Sequence, residues 1–165
     1  MNQPAMNQPA MKRKNPLMTA SISGAAEATR KPAVLFVCSK NGGKSQLAAG
    51  LLRHLAGGDF EVYSAGTKPG KELNPLAVES LAELGVDVAG EHPKPVTDEV
   101  LDAVDLVVVL GTEAKLEPRE GIRYEVWETD EPSERGIEGM DRMRLVRDDI
   151  NNRIHQLVRS RGVDW

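Results

Sequence analysis

The chain has 165 residues, 40% hydrophobic and 28% charged, the composition of a single soluble globular domain. Its formal net charge is −4 and is unevenly spread: residues 1–31 carry Lys12, Arg13, Lys14, Arg30 and Lys31 against Glu27, so everything after them is strongly acidic. An acidic domain argues against nucleic acid as the main partner, because binding a phosphate backbone takes a basic face. No apolar stretch approaches the ~20 residues of a membrane span. The single cysteine, Cys38, excludes an intramolecular disulfide framework and a Cys-rich zinc site. With no apolar core behind the basic N-terminal residues to form a secretory signal, the expected compartment is the reducing cytoplasm.

Residues 1–31 open with a repeated Met-Asn-Gln-Pro-Ala and continue without hydrophobic periodicity, so they are expected to form a disordered tail ahead of a catalytic domain over 32–165. Residues 33–38 are apolar throughout and predict a central parallel strand. Helix 44–56 follows, with Leu47, Ala48, Leu51, Leu52 and Leu55 on its buried face and Gly57-Gly58 at its end. Glu61–Ala65 predicts a second strand. Asn74-Pro75 marks a helix start whose buried stripe is Ala77, Val78, Leu81 and Leu84, with Gly85 as terminator. Thr97 is placed to cap a short helix carrying Val100, Leu101 and Val104. Leu106–Leu110 predicts a third strand, Tyr124–Trp127 a fourth, and a helix over about 138–160 presents Met143, Val146, Ile150, Ile154 and Leu157. This alternation specifies an α/β fold with a four-stranded parallel sheet flanked by helices, whose ligands sit at the carboxyl ends of the strands.

Cys38 stands at that end of the first strand. The turn after it, Ser39-Lys40-Asn41-Gly42-Gly43, leads at once into a helix beginning Lys44-Ser45. A Gly-rich turn of this kind aims successive backbone N–H groups at one spot, and the helix N-terminus adds partial positive charge. Three readings compete. One is a buried cysteine serving as a small hydrophobe. A second is a nucleotide-binding loop, Gly-x-x-x-x-Gly-Lys-[Ser/Thr], which residues 38–45 match except at Cys38; strand 106–110, however, runs into Leu110-Gly111-Thr112 with no acidic residue to hold magnesium. The third is Cys-x5-basic-Ser, a backbone wrapped around one tetrahedral oxyanion with a nucleophilic sulfur beneath it and Lys44 opposite. His54, His92 and His155 show no ligand spacing, so no metal is expected. Trp127 is expected to pack. Arg135 and Arg142 read as solvated surface, with recruitment of an anion as the alternative.

The third reading is joined by further segments: Val34–Cys38, Lys44-Ser45-Gln46, Ser64-Ala65-Gly66-Thr67, Asn74–Ala77, Lys94–Thr97, Asp105–Val109 and Trp127–Pro132. In these residues, over about 32–160, the chain resembles the low-molecular-weight protein tyrosine phosphatase superfamily, and within it the arsenate reductase branch. The resemblance implies that Cys38 is the nucleophile, that Asn41 shapes the loop, and that Ser45 donates a hydrogen bond to the thiolate. Residues Ser39, Lys40, Asn41, Gly42, Gly43, Lys44 and Ser45 would bind the anion. The family usually carries arginine where Lys44 stands; lysine keeps the charge but loses the bidentate fork, which weakens the case for phosphate-ester hydrolysis. The family's general acid is an Asp immediately before a Pro. Here Asp130 and Glu131 precede Pro132, either is in reach, and Asp130 is the preferred candidate.

Arsenate reductases of the thioredoxin-coupled type use three cysteines, whereas this chain has one. The resemblance to the actinobacterial members therefore implies an external low-molecular-weight thiol, mycothiol, as co-substrate and a mycoredoxin-type protein as reductase, with no bound cofactor. The expected activity is that of an arsenate–mycothiol transferase. A tyrosine phosphatase working through a phosphocysteine and a catalytically weak oxyanion-binding regulatory module are the alternatives.

Overall fold

The computed structural model describes residues 30–160. Strand β1 (Ala33–Cys38) leads into helix α1 (Lys44–Ala56), then β2 (Glu61–Gly66), α2 (Pro75–Ala82), α3 (Asp98–Ala103), β3 (Leu106–Leu110), β4 (Arg123–Trp127), a 3-10 turn (Pro132–Arg135) and α4 (Gly139–Ser160). The side chain of Asn74 accepts the Leu76 N–H at 2.9 Å ahead of Pro75, and that of Thr97 accepts the Val100 N–H at 3.1 Å, so both predicted helix starts carry their caps. Strand β2 runs one residue further than its side-chain pattern suggests, to Gly66, and β4 begins one residue earlier, at Arg123.

All four strands are parallel, in the order β2-β1-β3-β4. Interior β1 is thus buried on both sides. Val34 and Phe36 enter one core with Leu47 of α1, Leu81 of α2 and Ile150 of α4, and Ala33, Leu35 and Val37 enter the other with Leu101 of α3. Trp127 is buried against Phe36, with ring centroids 5.9 Å apart. From β1 the chain crosses to β2 on one side, while β3 and β4 lie on the other. The loops after β1 and β3 therefore part around a crevice at the carboxyl end of the sheet. Cys38 and Leu110, the last residues of those two strands, both line it.

Two residues assigned to buried stripes are exposed. Leu55 (40% exposed) lies in the last turn of α1, beyond Ser45–Leu52, where burial is continuous. Leu84 (38% exposed) falls outside α2, which ends at Ala82. Gly85 at φ +78° then swings the chain so that Val86, rather than Leu84, enters the core. Of the tail expected to be disordered, residues 1–29 lie outside the described residues. Arg30 is described, and its guanidinium pairs with Asp105 through two 3.2 Å bonds.

The end of α2 is tied to α4 by Glu83, whose carboxylate accepts from Arg144 (2.8 Å) and Arg147 (2.8 Å). The Arg144 hydrogen bonds, then that of Arg147, hold its pKa at about 2 against an ordinary 4.5. Because the folded state keeps this group ionised below its unfolded pKa, the clamp stabilises fully above pH 4.5 and its contribution is lost as pH falls toward 2. In acid unfolding curves, wild type is expected to exceed Glu83→Gln in stability at neutral pH, with the difference closing across that window.

Candidate active site

The loop between β1 and α1 is held open from outside. The carbonyls of Cys38, Ser39, Lys40 and Gly42 accept the N–H groups of Thr67 (3.1 Å), Lys68 (2.7 Å), Gly70 (3.0 Å) and Asn74 (2.9 Å), and the Asn41 carbonyl accepts Gln46 Nε2 at 3.1 Å. In a trans peptide the N–H points opposite the carbonyl. Five carbonyls turned outward therefore turn the N–H groups of Ser39, Lys40, Asn41, Gly42 and Gly43 inward, toward the sulfur. The Asn41 N–H shows this directly by donating to Cys38 Sγ at 3.3 Å. At the end of the array, α1 begins with no side-chain cap and no acidic residue in its first turn, so its N-terminal partial charge is left to an anion.

Asn41 is fully buried and has φ +56°, a left-handed conformation asparagine tolerates. Its Oδ1 accepts the Lys94 N–H at 3.0 Å and Lys94 Nζ at 3.4 Å, which turns its Nδ2 to donate to Ser45 Oγ at 2.7 Å. With one lone pair so occupied, the Ser45 hydroxyl, 2.9 Å from Cys38 Sγ, is free to donate to the sulfur. A hydroxyl and a backbone N–H thus both lie within hydrogen-bond reach of the sulfur. Lys94 is itself held by the His92 carbonyl (2.8 Å) and Ser64 Oγ (3.3 Å); burial pushes its pKa down, partly opposed by Glu91.

Gly66 sits directly behind this loop, paired with Cys38 across the β1–β2 ladder. A Cβ there would lie 2.7 Å from the Ser39 carbonyl oxygen and 2.9 Å from the Asn41 nitrogen, so the site requires glycine.

Cys38 opens into a cavity of about 600 Å3 whose walls include Lys40, Lys44, Gly111, Thr112, Glu131 and Arg142. Here the two candidate acids separate. Glu131 lines the cavity, accepting from Lys44 Nζ (2.9 Å) on Oε1 and from Arg142 Nη2 (2.8 Å) on Oε2. Asp130, the preferred candidate from sequence, is bound to Arg135 at 2.8 and 3.1 Å, lies outside the cavity wall, and uses its N–H on Asp149. Placement therefore favours Glu131. Both carboxylates are held below their usual range, Glu131 chiefly by its bond to Lys44 and Asp130 chiefly by Arg135. Arg142, read from sequence as surface, belongs to the cavity, whereas Arg135 does not. No histidine lines the cavity; His92 contributes only its carbonyl, to Lys94 and Gln46. Among the described residues no cluster of three or more His, Cys, Asp or Glu is placed to hold a metal ion, and no helix is long and apolar enough to cross a membrane.

Known proteins share this architecture. Arsenate reductase 1 of Staphylococcus haemolyticus is 34% identical over 131 residues, covering 76% of this chain and 94% of that protein. A solved structure described as the thioredoxin-dependent arsenate reductase Cg_ArsC1' of Corynebacterium glutamicum superposes with a TM-score of 0.69 at 37% identity, over 85% of this chain and 66% of that one. Another, described as an arsenate reductase in the phosphate binding state, superposes with a TM-score of 0.68 at 27% identity, over 78% of this chain and 98% of that one. The profile of the low molecular weight phosphotyrosine protein phosphatases matches residues 33–163. That match runs from the first residue of β1 to beyond the end of α4 and takes in every element around the cavity: the chain belongs to the low molecular weight phosphotyrosine protein phosphatase family.

Proposed function

We propose that this protein is an arsenate reductase that uses Cys38 as its nucleophile and draws its electrons from an external thiol. The observation that carries the reading is that the chain's one cysteine lies inside a loop whose outward carbonyls turn five N–H groups inward, with the Asn41 N–H donating to its sulfur and the Ser45 hydroxyl 2.9 Å from it. The names of the relatives add arsenate as the oxyanion.

Arsenate is held by the N–H groups of residues 39–43 and by Lys44. The Cys38 thiolate attacks As(V), an As–S bond forms, and an arsenate oxygen leaves as water with a proton supplied by Glu131. A second thiol then attacks arsenic, takes the arsenic group and regenerates Cys38. A third, from a reductase protein, attacks the sulfur of that adduct. The As–S bond breaks, its electron pair stays on arsenic as As(III), and the two external sulfurs leave as a disulfide. We assign the second thiol to mycothiol and the third to a mycoredoxin-type protein. This sequence needs no second cysteine in the chain, and it needs the reducing environment of cytoplasm. The ammonium of Lys44 supports the assignment against ester hydrolysis, since it lacks the planar fork that grips two equatorial oxygens of a transferring phosphoryl group.

Steady-state assays decide between the readings. Arsenate with mycothiol and mycoredoxin is expected to yield arsenite, with p-nitrophenyl phosphate hydrolysis far slower. Ester hydrolysis without arsenite would establish a phosphatase instead, and anion binding without either turnover a regulatory module.

A further inference from the structure

Glu131 occupies an unusual place for a proton donor: its carboxylate bridges two cations of the cavity that Cys38 opens into, one on each oxygen. Lys44 comes from the first turn of α1 and Arg142 from the first turn of α4, 98 positions later in the chain. A cation in the first turn of a helix opposes the helix dipole, so Arg142 stands where it gains little unless an anion meets it. It faces the cavity that Cys38 opens into.

We propose that Lys44 and Arg142 together form the clamp for the substrate oxyanion, and that Glu131 is an internal carboxylate occupying this clamp until the incoming anion displaces it. Two oxygens of one carboxylate, each met by a separate cation at 2.8–2.9 Å, present the pattern that two oxygens of one tetrahedral oxyanion would present. The guanidinium missing from position 44 is thereby supplied from a different element. Charge requires the exchange. The cavity wall carries Lys40, Lys44 and Arg142 against Glu113, Glu131 and Glu134, so the cations are already balanced and a dianion gains the clamp only if a carboxylate gives way. The displacement is inexpensive, because the side chains of both ion pairs are about a quarter to a third exposed and solvent screens them. Once released, Glu131 has lost Lys44 and Arg142 and stands beside a dianion, with Ser133, Glu113 and Glu134 its other polar neighbours on that wall. All of these changes raise its affinity for a proton, so arrival of the substrate is what arms the donor.

The inference rests on the arsenate reductase reading but is tested without turnover. Inorganic phosphate serves as the probe, its dissociation constant read by calorimetry and by protection of Cys38 from iodoacetamide, in the full chain. Glu131→Gln is expected to tighten phosphate binding about three- to tenfold by removing the competitor. Arg142→Gln is expected to weaken it about tenfold, with Arg142→Lys in between. In the double variant the gain from Glu131→Gln is expected to shrink, because the carboxylate it removes competes for one cation only. Thermal unfolding of each variant shows whether the fold is retained, and Arg142→Lys keeps the aliphatic stem if Arg142→Gln is unstable. Unchanged or weaker phosphate binding in Glu131→Gln, or unchanged binding in Arg142→Gln, overturns the proposal. Absence of arsenite formation by wild type, with these phosphate shifts intact, refutes the arsenate reading and leaves the clamp standing.

Discussion

Replacing Cys38 by serine is expected to lower arsenate turnover by at least about 10^4-fold and to leave phosphate binding within a few-fold of wild type. The substitution changes one atom. The ring of N–H groups is fixed by carbonyls bonded to Thr67, Lys68, Gly70 and Asn74, none of which involves the sulfur, so the cradle survives. Chemistry does not survive, because a serine hydroxyl needs a base to remove its proton, and the two groups bonded to this position, the Ser45 hydroxyl and the Asn41 N–H, cannot take it. Stability is expected to change by less than about 1 kcal/mol, since the side chain stays small and keeps its hydrogen-bond partners. Arsenite formation, phosphate titration and thermal unfolding on the same preparation separate these effects. A variant that lost binding along with turnover would mean that the sulfur organises the loop as well as attacking from it.

The second large effect comes from a residue that touches no substrate. Gly66→Ala is expected to cost at least about 100-fold in kcat/KM together with roughly 1–3 kcal/mol of stability. Its new Cβ would lie 2.7 Å from the Ser39 oxygen and 2.9 Å from the Asn41 nitrogen, and both are backbone atoms that cannot rotate away. Relief must come from moving the Cys38–Ser45 loop off β2, which misdirects the Asn41 N–H and loosens the chain of bonds running Lys94–Asn41–Ser45–Cys38. Gly58→Ala is the control. That position has open space for a Cβ and no positive φ, so activity and unfolding midpoint should both stay near wild type. Equal losses at the two glycines would show that neither effect arises in the loop.

Gly66 also shows where reading a sequence reaches its limit. The strand, turn and helix from Ala33 to Ala56 are legible because one contiguous stretch carries every signal: a doubly apolar run, then glycines, then a three-and-four spacing of leucines. The candidate oxyanion loop is legible for the same reason, since Cys38 through Ser45 are consecutive. Residues that complete the site come from elsewhere. Lys94 reaches Asn41 across 53 positions, and Arg142 reaches Glu131 from the first turn of α4. No local pattern marks either of them as different from a solvated cation. The choice between Asp130 and Glu131 fails locally too, because neighbours in sequence differ only in which cation each meets: Arg135 for one, Lys44 and Arg142 for the other. At Leu84 the error is one of boundary. The apolar spacing continues past Ala82, but the helix does not, and Gly85 redirects the chain.

Arsenate reduction moves two electrons, and a chain with a single cysteine has no second sulfur with which to close a disulfide of its own. The most direct test is a single-turnover experiment in which excess enzyme is mixed with arsenate, first with no other thiol and then with mycothiol and mycoredoxin added, with As(III) quantified at each stage. No arsenite is predicted before addition. After it, about one equivalent per arsenate is predicted, together with a disulfide between the two added thiols and with Cys38 recovered reduced. Arsenite released by the protein alone, or none released after the thiols are supplied, would contradict the account.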